Sequence, residues 1–100
     1  MRDRAKATAG SLAAQIRRAT LRLERMVILR GELVGYGLRQ EERERAQGDI
    51  LGAAEALDRA LERAYHWERK TGRRSPVIDQ AIRGADAVDA RAFPYYGDLL

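Results

Sequence analysis

A single histidine, His66, stands in the stretch RALERAYHW, seven positions after Arg59. An imidazole and a guanidinium together can move a proton and hold a phosphate. The plainer reading, and the expectation, is a surface histidine pairing with Glu62 one turn earlier. Carboxylates fall into three groups: Glu41, Glu42 and Glu44; Glu55, Asp58 and Glu62; and Asp86 with Asp89. Paired carboxylates can do acid–base work or hold a metal. Here each group is interleaved with arginines, and the Glu-x-x-His spacing of a bundle metal site is missing. There is no cysteine, hence neither disulfide nor thiolate ligand, and no Ser–His–acid pattern. The expectation is a non-enzymatic protein with no cofactor and no metal.

The basic residues give the stronger signal. Arg18, Arg22 and Arg25 recur at i, i+4, i+7 and so line one stripe of a helix, with Arg17 beside them. Arg69, Lys70, Arg73 and Arg74 surround Gly72, with Tyr65, His66 and Trp67 just before. Arginines next to aromatics suit phosphate contact combined with base stacking. Arg17, Arg18, Arg22, Arg25, Trp67, Arg69, Lys70, Arg73 and Arg74 are therefore the candidate nucleic-acid-binding residues. The alternative is that the arginines solubilise and the aromatics belong to the core. No helix-turn-helix, zinc-finger or RNA-recognition signature supports reading of base sequence.

Two resemblances attach to these stretches. The Arg59–six residues–His66 spacing resembles the motif of HEPN-type helical ribonucleases, where such a pair would act on the RNA 2′-hydroxyl and phosphate, usually across a dimer. It covers two residues, and Ala60 replaces the polar residue that usually follows the arginine. The helix end "LV…GL" at residues 33–38 is similar to one in small accessory proteins of conjugative DNA transfer, over about six residues.

Composition sets the frame. One hundred residues make one domain, 1–100, with a single small core. Apolar residues at 45% and charged residues at 34%, with Ala, Leu, Arg and Glu dominant and two prolines, favour an all-α fold. Net charge is +4, and the cations are 17 Arg against 2 Lys. That ratio reads either as codon preference or as guanidinium forks suited to phosphate and carboxylate. Charge runs in blocks: +6 over residues 1–30, −4 over 31–62, +4 over 63–74 and −2 over 75–100. Such alternation can steer an anionic partner or set one protomer against the next.

The start has no apolar h-region before Arg17 and Arg18, which argues against a secretory signal. Its Arg-rich, acid-poor character leaves an organelle transit peptide as an alternative. No stretch approaches the roughly 20 apolar residues of a transmembrane helix. The expected compartment is the cytoplasm, with no membrane partner.

The elements follow from apolar spacing. Leu12, Ile16, Ala19, Leu23, Met26 and Leu33 trace one helix face, with Arg30 discordant, and Ser11 or Thr8 suits its N-cap. In "RMVILRGELVGYGL", arginines and Glu32 rule out a span, and the glycine order does not fit a dinucleotide loop. Gly37 at C′ and Leu38 at C″ are expected to close the helix in a Schellman-type cap. Met26 to Leu29 are expected at the centre of the core. Arg30, if buried, needs a carboxylate from a neighbouring helix.

Ala46, Ile50, Ala54, Leu57, Leu61 and Ala64 mark a second helix, expected to be continuous through Gly48, the alternative being a break at Gly48-Asp49 with Asp49 as a new N-cap. Glu41–Arg45, Glu55–Arg59 and Glu62–His66 are spaced for surface pairs. Gly72 suits its left-handed C′ position. Ser75-Pro76 opens a third helix striped by Ile78, Ala81, Ile82, Ala85 and Val88, and Phe93-Pro94 is expected to stop it.

The predicted fold is all-α: a long antiparallel helical hairpin, about 11–36 and 39–71, with a shorter third helix, about 76–91, assembling into an oligomer or larger complex. Residues 1–8 read as a disordered basic arm and 93–100 as a docking tail. The first functional expectation is a non-enzymatic subunit of a nucleoprotein assembly, binding the DNA or RNA backbone without sequence specificity. The second is an adaptor that binds itself or another helical protein and no nucleic acid. The third is a HEPN-like ribonuclease.

Overall fold

The computed structural model describes residues 7–35 and 39–100. Every regular element among them is helical: α1 (Ala9–Gly35), α2 (Gln40–Thr71) and α3 (Pro76–Tyr96), then a 3-10 turn at Gly97–Leu99. Residues 1–6 and the expected Gly37–Leu38 cap lie outside the described residues.

Helix α1 starts where its side chains satisfy the first free amides. Ser11 N–H donates to Thr8 Oγ1 and Thr8 N–H to Ser11 Oγ, both at 3.0 Å. This is a reciprocal capping box with Thr8 as N-cap, so the expected basic arm 1–8 already has order at Thr8. Helix α2 runs unbroken through Gly48, with Glu41 and Glu42 at its positive end and Arg69 and Lys70 at its negative end. It stops at Gly72, whose φ of 67° is the left-handed conformation that only glycine adopts freely. Its N–H donates to Glu68 O at 2.9 Å. Extended Ser75 then leads into Pro76, pre-set for the first turn of α3.

The third helix does not stop at Phe93-Pro94 as expected, for Pro94 lies inside it. Proline removes one amide and crowds the preceding turn, costing about 3 kcal/mol in a helix interior. The residues on either side hold the last turn in place. Ala92 and Tyr96 are buried in the core, Tyr96 Oη donates to Asp89 Oδ1 at 2.6 Å, and Gln47 Nε2 donates to Tyr95 O at 3.2 Å. The first half of the expected docking tail 93–100 is thus the last turn of α3, and Leu99 and Leu100 beyond it remain exposed.

Cross-helix pairs fix the directions. Arg63 Nε donates to Gln15 Oε1 at 2.9 Å, and Arg30 Nε lies 3.4 Å from Asp49 Oδ2, so α1 and α2 are antiparallel. Arg91 meets Glu24 at 3.2 Å, and Tyr95 packs on Gly31, so later turns of α3 lie against later turns of α1. Helix α1 packs on both neighbours, and α2 and α3 also touch.

Ile16, Leu23, Ile50, Leu57 and Ile78 are the largest fully buried side chains. Each contributes about 1.5–3 kcal/mol by leaving water. Ala13, Ala53, Ala60, Ala64, Ala85 and Ala92 fill the spaces between them and let the backbones approach closely. Leu57→Ala would open a cavity costing about 2–5 kcal/mol.

Candidate nucleic-acid interface

Arg17, Arg18, Arg22 and Arg25 are all exposed on the side of α1 turned away from Leu12, Ile16 and Leu23. They are not alone there. Leu21 is 45% exposed, Ile28 69% and Leu29 66%. This corrects the expectation that Met26 to Leu29 sit at the centre of the core. Four successive helical residues sweep about 300°, while α2 and α3 cover only part of that circle. Met26 and Val27 are half-buried, and Ile28 and Leu29 face out.

The second basic cluster lies where α2 ends beside the start of α1. An open groove of about 1190 Å³ runs there. Leu12 and half-buried Trp67 give it apolar walls, Arg59, Arg63, Arg69 and Lys70 supply cations against the single acid Glu62, and His66 lines it beside them. The Arg63–Gln15 hydrogen bond ties one wall to the other. Trp67 packs partly against the core, so it is a fixed wall and not a free-standing stacking platform. Thr71 Oγ1 donates to Trp67 O at 2.8 Å and accepts from Arg73 N–H at 3.3 Å, which fixes the chain at the helix end. Beyond it, Arg69, Arg73 and Arg74 line a second hollow of about 380 Å³ with Tyr65 and Glu68. Glu68 Oε2 is buried without a hydrogen-bond partner among the described residues.

The groove gathers Trp67, Arg69 and Lys70, adds Arg63, which the sequence does not single out for phosphate, and adds Arg59, singled out there only as a partner of His66. The signal is present in the spacing: Arg59, Arg63, His66 and Lys70 recur at i, i+4, i+7, i+11. Arg59 and His66 share this groove but stand two turns apart, about 10 Å along one helix. Arg25 lies a similar distance from Arg18, toward the other end of α1.

Charge separates along the bundle. The half built from residues 7–22 and 57–86 carries ten Arg or Lys against five Asp or Glu. The half built from 23–35, 39–56 and 87–100 carries six against nine. All the ion pairs found among the described residues, Arg30–Asp49, Arg39–Glu42 and Arg91–Glu24, lie in the acidic half. Arg30 thus finds its carboxylate, but its side chain is 45% exposed. Glu41–Arg45, Glu55–Arg59 and Glu62–His66 are not among the closed pairs, and their side chains are exposed to solvent. Long exposed side chains gain little from closing such pairs.

Of the acidic groups, Asp58 is electrostatically unusual. Its carboxyl is pushed above the ordinary 3.8 by burial first and then by Asp89, Glu62 and Glu55. Burial also raises the Tyr96 phenol, helped by its hydrogen bond to Asp89. Among the described residues no cluster of three or more His, Asp or Glu is arranged to hold a metal ion. No helix among them is long and apolar enough to cross a membrane.

Compared with protein-family models, curated proteins and solved structures, the chain finds no match.

Proposed function

We propose that this protein is a non-enzymatic helical subunit of a nucleoprotein assembly and holds the phosphate backbone of DNA or RNA without reading its sequence. The observation that carries the reading is the basic half of the bundle, where none of the arginines closes an ion pair among the described residues. Cations left without carboxylate partners are available to phosphates, and each phosphate neutralised releases counterions. Arg17, Arg18 and Arg22 act from α1. Arg59, Arg63, Arg69, Lys70, Arg73 and Arg74 act from the end of α2 and the turn after it, beside Trp67.

The test is titration of labelled single- and double-stranded DNA and RNA of unrelated sequences at two salt concentrations. Binding should fall steeply with salt and vary little with sequence. Replacing Arg59, Arg63 and Lys70 with Gln should lower the salt slope by up to about one for each phosphate no longer neutralised. Failure of the wild-type protein to bind any of these at low salt sinks the reading. A His66→Ala variant that lost an RNA-cleaving activity present in the wild type would replace it with a ribonuclease.

A protein-binding role has its own support in the exposed Leu21, Ile28 and Leu29. Apolar side chains grouped on an outer helix face suit a protein surface better than a phosphate backbone.

A further inference from the structure

The outward face of the second half of α1 carries a charge order that fits itself. Arg25, Ile28, Leu29 and Glu32 are all exposed, and their spacing at i, i+3, i+4, i+7 puts them on one stripe. Neither Arg25 nor Glu32 closes an ion pair among the described residues. The stripe therefore reads cation, two apolar residues, anion, over about 10 Å of helix. Of the other charges in this half of the bundle, Arg30, Asp49, Arg91 and Glu24 are paired within the chain, while Glu41, Arg43, Glu44, Arg45 and Glu55 lie on α2 and not on this stripe.

We propose that this stripe is the contact between two copies of the chain, with α1 packed against the α1 of a second copy in antiparallel orientation. A two-fold axis between Ile28 and Leu29 sets Ile28 against the partner's Leu29 and Arg25 against the partner's Glu32, and both contacts then occur twice. This is the self-complementarity a two-fold interface requires. A parallel pairing sets Arg25 against the partner's Arg25 and Glu32 against the partner's Glu32, so repulsion at both ends disfavours it against the antiparallel pairing. Ile28 and Leu29, the most exposed apolar side chains of α1, leave water in the antiparallel pair. An interface of one helix pair is small, and its affinity is about micromolar rather than nanomolar.

The experiment is sedimentation of the full chain, freed of nucleic acid, over a range of concentrations. The wild type should dimerise. Ile28→Ser with Leu29→Ser should weaken the dimer by about a hundredfold or more. Arg25→Glu alone places like charges across both ends of the contact, and so does Glu32→Arg alone. Each should weaken self-association by about tenfold. An equimolar mixture of the two single variants restores opposite charges at both ends, so it should recover a heterodimer. All these side chains are exposed, and circular dichroism should show every variant as helical as the wild type. The proposal is overturned if the wild type stays monomeric at its highest soluble concentration. Single charge reversals that dimerise as the wild type does, or a mixture with no preference for the heterodimer, also overturn it.

Discussion

Replacing Gly48 with Ala tests whether α2 is one continuous helix under its own energetics. Gly48 is exposed in the helix interior, and a Cβ built there meets nothing within 4 Å. The substitution adds no clash and removes backbone freedom from the unfolded chain, a gain of about 0.5–1 kcal/mol. For a domain of this size that corresponds to a rise in Tm of about 2–8 °C. Gly52, one turn later with equally open space, should behave alike. Gly31→Ala is the contrasting case. Its Cβ would stand 3.2 Å from Cε1 and Cζ of Tyr95, whose carbonyl is held by Gln47. Overpacking of this kind costs about 1–3 kcal/mol, which outweighs the helix-propensity gain. Thermal unfolding followed by circular dichroism, with urea unfolding alongside, should show a higher Tm for Gly48→Ala and a lower one for Gly31→Ala. A lower Tm for Gly48→Ala would mean that the helix breaks there. An equal rise for Gly31→Ala would mean that the Tyr95 ring yields to the added methyl group at no cost.

Two further substitutions probe local chemistry. Thr8→Ala removes one half of the capping box and should cost about 1 kcal/mol in urea unfolding; no change in stability would place the start of α1 elsewhere. Because the carboxyl of Asp58 is raised above 3.8, the folded chain holds that proton more tightly than the unfolded one. Its contribution is favourable below 3.8 and is lost as pH rises through the folded value. Asp58→Asn should therefore be more stable than the wild type near neutral pH and lose that advantage in acid. A pH-independent difference would contradict the assignment.

The helices are legible in the sequence because each local signal agrees with the others: the three-four apolar rhythm, the Ser75-Pro76 start and Gly72 at the end of α2. Gly48 reads as helix interior because the rhythm of Ala46, Ile50 and Ala54 continues across it, and all three are buried. Pro94 misleads because its local cost is visible in sequence, while the burial of Ala92 and Tyr96 that offsets it is tertiary. Met26 to Leu29 mislead because apolar content reveals nothing about which directions around a helix have neighbours. The Arg30–Asp49 pair depends on the register of α1 against α2, which no local pattern contains. The basic stripes are legible, but their separation from the acidic half is not, because it arises only when the packing of α2 antiparallel and α3 parallel to α1 brings residues 7–22 beside 57–86.

That separation links the two proposals. An antiparallel pair centred between Ile28 and Leu29 sends the two basic halves to opposite ends of the dimer. Arg18 then lies about 31 Å along the axis from the partner's Arg18. This is close to one turn of B-DNA, about 34–36 Å, so both clusters could meet phosphates along one face of a duplex. Dimerisation would then about double the phosphates neutralised per binding event, and with them the slope of log affinity against log salt. Ile28→Ser with Leu29→Ser changes no charge, so a slope reduced by about half in that variant reports loss of the second copy alone. An unchanged slope in a variant shown to be monomeric would mean that each chain meets the backbone independently.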